Sequence, residues 1–101
     1  KHNPEDLFLA SIASCHMLWF LHLCADEGII VVDYVDNAEG VMQISDSGGG
    51  FFKEVTLHPV VTITDGTMIE KANSLHRLAN QKCFIANSCN FTIHHQPTCK
   101  I

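Results

Sequence analysis

Apolar positions run almost without a break from Leu7 to Cys24. Phe8, Leu9, Ile12, Met17, Leu18, Trp19 and Phe20 cover nearly the whole circumference of a helix. A helix that is apolar all round is enclosed on several sides. Ser11, Ser14, His16 and His22 interrupt the run, which marks a buried helix rather than a membrane span. Its start is well signalled. Asn3 is placed to cap the free amides, and Pro4 sits at the first helical position, where a missing N–H costs nothing. Glu5 and Asp6 follow at the positive end of the helix dipole. Gly28 is the expected stop.

The pattern then changes. Ile29 to Val35 is β-branched and aromatic, and predicts a strand. Asp36 to Ala38 reads as a turn, Glu39 to Ser45 as a second strand, and Asp46 to Gly50 as a flexible loop. Phe51 to Thr64 alternates as one long third strand. Val55, Leu57, Val61 and Ile63 share one face; Glu54, Thr56, His58 and Thr62 share the other. Pro59 interrupts its ladder and predicts an edge or a bulge. After the Asp65-Gly66 turn, Thr67 and Glu70 have the spacing of a capping box. The helix they open runs to about Asn87. Ala72, Leu75, Ala79, Cys83 and Ala86 share its apolar face, so Cys83 points inward. Phe91 to His94 is a last strand. The order of helix, three strands, helix and strand indicates an α+β fold in a single domain, residues 1–101.

Composition adds three things. A 101-residue chain with 47% hydrophobic residues has more apolar surface than a small core hides, which points to a second copy as its cover. The net charge is -5 and the six Lys and Arg are scattered, which argues against a nucleic-acid partner. The chain opens on Lys1-His2-Asn3-Pro4, without Met and directly before a helix, and reads as lacking its beginning.

The chemistry centres on cysteine. Cys15, Cys24, Cys83, Cys89 and Cys99 are odd in number and lack the spacing of a secreted disulfide framework, so the expected compartment is reducing and cytoplasmic. Taken singly, Cys15 is an ordinary core cysteine. Cys83 changes the balance, because two inward cysteines on two buried helices can meet. A thiol oxidised to a sulfenic acid needs such a partner. Glu5 lies ten residues before Cys15 on the same helix, about 15 Å away along its axis, so within one chain the two do not touch. Glu5 either caps its helix or reaches a thiol of a partner subunit. Cys15-His16 with His22, and His94-His95 with Cys99, are the available metal sets; neither has a zinc-site spacing, and no metal or cofactor is expected. Gly48-Gly49-Gly50 lacks the Lys-Ser/Thr of a phosphate loop. Cys24, Cys89 and Cys99 carry no evident role.

Two segments carry a resemblance. Asn3-Pro4-Glu5-Asp6-Leu7, then Ala10 and Ala13-Ser14-Cys15, resembles the first cysteine helix of the OsmC/Ohr superfamily. His76-Arg77-Leu78-Ala79, then Lys82-Cys83 and Phe84 to Ser88, resembles its second. The resemblance implies two long buried helices with an antiparallel sheet, intertwined into a homodimer. It implies a thiol peroxidase acting on organic hydroperoxides in the oxidative stress response. Cys15 would be the peroxidatic thiol and Cys83 the resolving one, closing a disulfide that a dithiol such as a lipoylated protein reduces. Glu5 matches the family glutamate that pairs with an arginine beside the thiolate. That arginine belongs to strands before the first helix, and Arg77 lies on another element. Several members have Pro after the second cysteine, where this chain has Phe84. The alternative reading is a non-catalytic, ligand-binding or redox-sensing member of the same fold. An apolar wall from Phe8, Leu9, Met17, Leu18, Trp19 and Phe20 would suit an alkyl group or cover a dimer core.

Overall fold

The computed structural model describes residues 3–101. The reading of the Lys1-His2 opening lies outside them. The first helix, α1, spans Pro4–Asp26. The Asn3 side chain accepts from the Asp6 N–H at 2.8 Å, as the sequence predicts. At the other end Gly28 takes a positive φ of 74°, which lets Ile29 N–H reach back to the Cys24 carbonyl at 2.8 Å.

Six strands follow, in two sheets. β1 (Val31–Asp36), β4 (Pro59–Ile63) and β6 (Thr98–Lys100) form one, in the order β1-β4-β6. β2 (Glu39–Ile44), β3 (Gly50–Leu57) and β5 (Thr92–His95) form the other, in the order β2-β3-β5. β1–β4 and β2–β3 are antiparallel, as expected; β5 and β6 join in parallel. They do so because the chain returns to the sheets only after a helical crossover, and such connections bring strands in parallel.

The expected long strand from Phe51 to Thr64 is divided at His58-Pro59 between the two sheets. Pro59 cannot donate to a ladder. The adjacent His58 N–H leaves the ladder too and is taken by the Asp36 carboxylate at 2.8 Å. The last strand divides in the same way at Gln96-Pro97, where Gln96 N–H bonds the Leu57 carbonyl at 2.9 Å. Two prolines therefore mark one fault line between the sheets. β6, which the sequence pattern did not show, lies beyond it.

The second helix, α2, spans Ile69–Lys82 and is led in by a 3-10 turn at Gly66–Met68. The expected Thr67–Glu70 capping box does not form. Asp65 caps instead, accepting from the Thr67 N–H at 2.9 Å and the Thr67 hydroxyl at 2.7 Å. The helix also stops at Lys82 rather than near Asn87. Cys83 is extended, with φ -68° and ψ 115°, and a short helix α3 (Phe84–Asn87) starts after it.

Ile12, His16, Phe20 and Cys24 are the buried stripe of α1, at four-residue steps. Ile12 packs on Val55, Leu57 and Ile93 of the β2-β3-β5 sheet. Phe20 and Cys24 pack on Val61 and Ile63 of the other sheet and on Ala72, Leu75 and Ala79 of α2. α1 thus spans both cores. His16 falls between them, bonded through Nε2 to Nδ1 of His76 at 2.9 Å. Both rings are closed off from water. His76 stacks on Phe20 with ring centroids 4.0 Å apart, and His95 stands 5.9 Å from His16.

By length and composition α1 would also cross a membrane; here it packs against α2, α3 and β1. Much of its surface stays open, with Leu7 and Leu18 more than half exposed. β2 is exposed along its whole length. The radius of gyration is 14.8 Å, against about 13 Å for a closed domain of this size. One chain alone leaves an apolar face uncovered.

Burial pushes His16 down to about 4, helped by nearby His95, and pushes His76 down to about 3, helped by His16 and His95. Between those values and the ordinary 6.5 the unfolded chain binds protons that the folded chain refuses. Stability therefore falls as pH drops through that window. From pH 7 to pH 5 we expect a loss of about 2 kcal/mol for each of the two histidines. Asp36, whose carboxyl burial raises, works in the opposite sense. Urea unfolding at both pH values measures the loss, and a His16→Leu/His76→Met double variant should show a clearly flatter profile.

Candidate active site

Cys15 lies on α1 one step from the buried stripe and is partly exposed; Cys83 is buried at the break between α2 and α3. The break creates the site. A new helix begins with amides that have no intrahelical acceptor. Cys83 caps that start, its Sγ accepting from the Ala86 N–H at 3.5 Å. The next free amides, those of Phe84 and Ile85, face Cys15 and favour its ionised sulfur. Cys15 and Cys83 are neighbours, and each shifts the other's proton affinity.

The two thiols are shifted in opposite directions. Burial alone would raise Cys15; the hydrogen bonds from Cys83, Ile85 and Phe84 outweigh it and hold Cys15 below the ordinary thiol value. Burial first, and then the neighbouring Cys15, push Cys83 up to about 11. Of the pair, Cys15 gives up its proton first and Cys83 keeps its own. That is a nucleophile beside a protonated partner.

The sequence-predicted pair is therefore brought together. Glu5 is not part of it within one chain. It sits in the exposed first turn of α1, beside the trough formed by Met42 to Ile44 and Gly48 to Phe52. Arg77 lies beside His95, whose ring it helps keep neutral, secondary to burial. Among the described residues no three His, Cys, Asp or Glu side chains gather as metal ligands. Of the proposed metal sets, His22 faces Asp26 at 3.5 Å and His94 faces Glu54 at 3.9 Å.

The apolar wall is smaller than the sequence suggested. Phe20 is in the core, and Phe8 packs on Phe52 and Phe91 with centroids 5.0 and 6.1 Å away. Leu18 and Trp19 remain at the surface. Trp19, one turn after Cys15, meets the Phe84 ring edge-on at 6.4 Å, and Lys82 Nζ stands 5.5 Å from its centroid. Sequence reasoning missed the Phe84 and Ile85 amides, because no Gly or Pro marks the break. It also missed the His16–His76 bond. The available signal was a histidine inside the apolar stripe of each helix.

The arrangement is a pair of neighbouring cysteines on an α+β scaffold. The family described as OsmC-like protein matches residues 1–98, and the chain belongs to that family. Among solved structures, an OsmC-like protein of unknown function from Vibrio cholerae superposes with a TM-score of 0.83 at 34% identity. The match covers 93% of this chain and 62% of that one, so the chain spans less than two thirds of that relative's length. The organic hydroperoxide resistance protein OhrB of Bacillus subtilis matches at 27% identity with a TM-score of 0.68, over 97% of this chain and 70% of its own. An organic hydroperoxide resistance protein from Elizabethkingia anophelis, at 24% identity and a TM-score of 0.73, shares the fold over 98% of this chain and 68% of its own. No protein with a curated description matches. The family is thus peroxidase-related, with members of unknown function beside hydroperoxide resistance proteins.

The cradle makes a specific prediction. Phe84 is the first residue of α3, a position proline favours, and Cys83 already has the extended backbone that proline requires before it. Phe84→Pro should preserve the break and remove one donor to Cys15. The Cys15 thiol should then titrate higher by about one pH unit, read from the pH dependence of its alkylation by iodoacetamide.

Proposed function

We propose that the chain is a dithiol peroxidase for organic hydroperoxides, with Cys15 as the attacking thiol and Cys83 as the resolving one. What carries this reading is the placement of Cys15 of α1 beside Cys83 at the α2–α3 break, with Cys15 shifted down and Cys83 up. In the first step the Cys15 thiolate attacks the distal oxygen of the hydroperoxide. The O–O bond breaks, and the alkoxide takes up a proton and leaves as the alcohol. Cys15 becomes a sulfenic acid.

Cys83 is then released from the charge that held its proton. The Ala86 and Ile85 amides, which favour its thiolate, are no longer opposed by Cys15. Cys83 attacks the Cys15 sulfur, the S–O bond breaks, and hydroxide leaves with the Cys83 proton as water. The resulting disulfide is opened by thiol exchange with a dithiol such as a lipoylated protein. The exposed Leu18 and Phe84, with the half-buried Trp19 between them, suit the alkyl part of the substrate.

Two further elements belong to this reading. The open face of α1 and the bare strand β2 are covered by a second copy, giving a homodimer. Glu5 then reaches toward the partner's thiol, since its own Cys15 is about 15 Å along the helix. The setting is cytoplasmic, where a reducing pool returns both cysteines to thiols.

Cumene hydroperoxide, added in equal amount to the reduced protein, tests the reading by peptide mapping without reductant. The expected product is a Cys15–Cys83 disulfide. Cys15→Ser should abolish hydroperoxide consumption; Cys83→Ser should keep the first step and yield a sulfenic acid that dimedone traps. Unconsumed hydroperoxide with both thiols free in the parent protein would overturn it.

A further inference from the structure

Two cysteines that the proposed peroxide chemistry leaves idle share the other core. Cys24 ends the buried stripe of α1 and is 1% exposed. Cys99 is the central residue of β6, opposite Val61 of β4. Val61 is fully buried in the same cluster as Cys24, and Cys99 packs against that cluster from the sheet side. Burial, and then the neighbouring Cys99, push Cys24 up to about 11. Burial raises Cys99 as well. Neither sulfur accepts a hydrogen bond of the kind that holds Cys15 low, so at rest both are thiols. They differ in access: Cys99 is partly exposed and Cys24 is sealed.

We propose that Cys24 and Cys99 are a second dithiol, which closes by exchange with small disulfides into a staple tying β6 to the end of α1. The Cys99 thiolate attacks a sulfur of the small disulfide, breaking its S–S bond and releasing one thiol. Cys24 then attacks Cys99 in the mixed disulfide, gives up its proton, and releases the second thiol. The protein pair loses two electrons and the small disulfide gains them. The staple closes most of the chain into one loop, the case in which a cross-link restricts the unfolded chain most. It also fixes a short strand that pairs with β4 at only three ladder positions and rests on α2. The pair thus acts as a slow lock on the fold, separate from the fast pair at Cys15. It does not depend on the peroxidase reading, since neither its oxidant nor its residues are shared with it.

The test uses a Cys15→Ser/Cys83→Ser/Cys89→Ser variant, leaving only Cys24 and Cys99, incubated with hydroxyethyl disulfide. Peptide mapping without reductant should show a Cys24–Cys99 cross-link within one chain. The thermal midpoint should rise by at least about 5 °C and return on adding dithiothreitol. Cys99→Ser should remove both signals. The unmodified chain gives the same readout if the variant folds poorly, because mapping separates Cys24–Cys99 from Cys15–Cys83. The proposal fails if Cys99 stops at the mixed disulfide with Cys24 still free, or if cross-links form only between copies.

Discussion

A thiol on an apolar helix is shifted down only where donors reach it, and in this chain the donors come from one broken helix. α2 ends at Lys82, Cys83 turns extended, and α3 begins again with unpaired amides. If α2 ran on through Asn87, the Phe84, Ile85 and Ala86 N–H groups would bond carbonyls one turn back. Cys15 would then be a half-buried thiol raised by desolvation. The break converts the same backbone into a cradle for Cys15 and a cap for Cys83. It also sets the pair apart, since the same break that lowers Cys15 leaves Cys83 raised. In the proposed reaction both steps would draw on this one set of amides.

The rest of the structure serves to hold α1 against that break. α1 carries Cys15, and its stripe of Ile12, His16, Phe20 and Cys24 crosses both cores. Its middle contact is polar: His16 to His76, sealed from water and stacked on Phe20. A hydrogen bond fixes direction where apolar packing alone permits sliding. It sets the register of α1 on α2 one residue from the active sulfur. Dependence on neutral imidazoles is the accompanying cost, and it ties the packing of the site to pH.

Much of this was legible in the sequence, and the limits are physical. The start and end of α1 were plain because Asn3, Pro4 and Gly28 each perform a local job that needs no tertiary context. The inward placement of Cys83 followed from helical spacing, whereas Cys15 lies one step off the buried stripe and is partly exposed; the family followed from the two cysteine helices. The break at Cys83 was illegible because Lys82, Cys83 and Phe84 are all tolerated in helices; what stops the helix is the cap that Cys83 makes and the sulfur across from it. Pro59 signalled an interruption, yet only the neighbouring Pro97 turns it into a boundary between sheets. The His16–His76 bond joins elements sixty residues apart, which no local pattern reports. Glu5 stays away from Cys15 within one chain, as helix geometry required.

The central claim is that a hydroperoxide oxidises Cys15 first and that Cys83 then closes on it. Trp19 is the only tryptophan, lies one turn from Cys15, and touches Phe84 and Lys82 at the break. Stopped-flow tryptophan fluorescence after mixing with cumene hydroperoxide reads both events directly. The account predicts two phases: a first whose rate grows with peroxide concentration, and a second that is independent of it and missing in Cys83→Ser. A signal that stays flat while Cys15 remains a free thiol would contradict it.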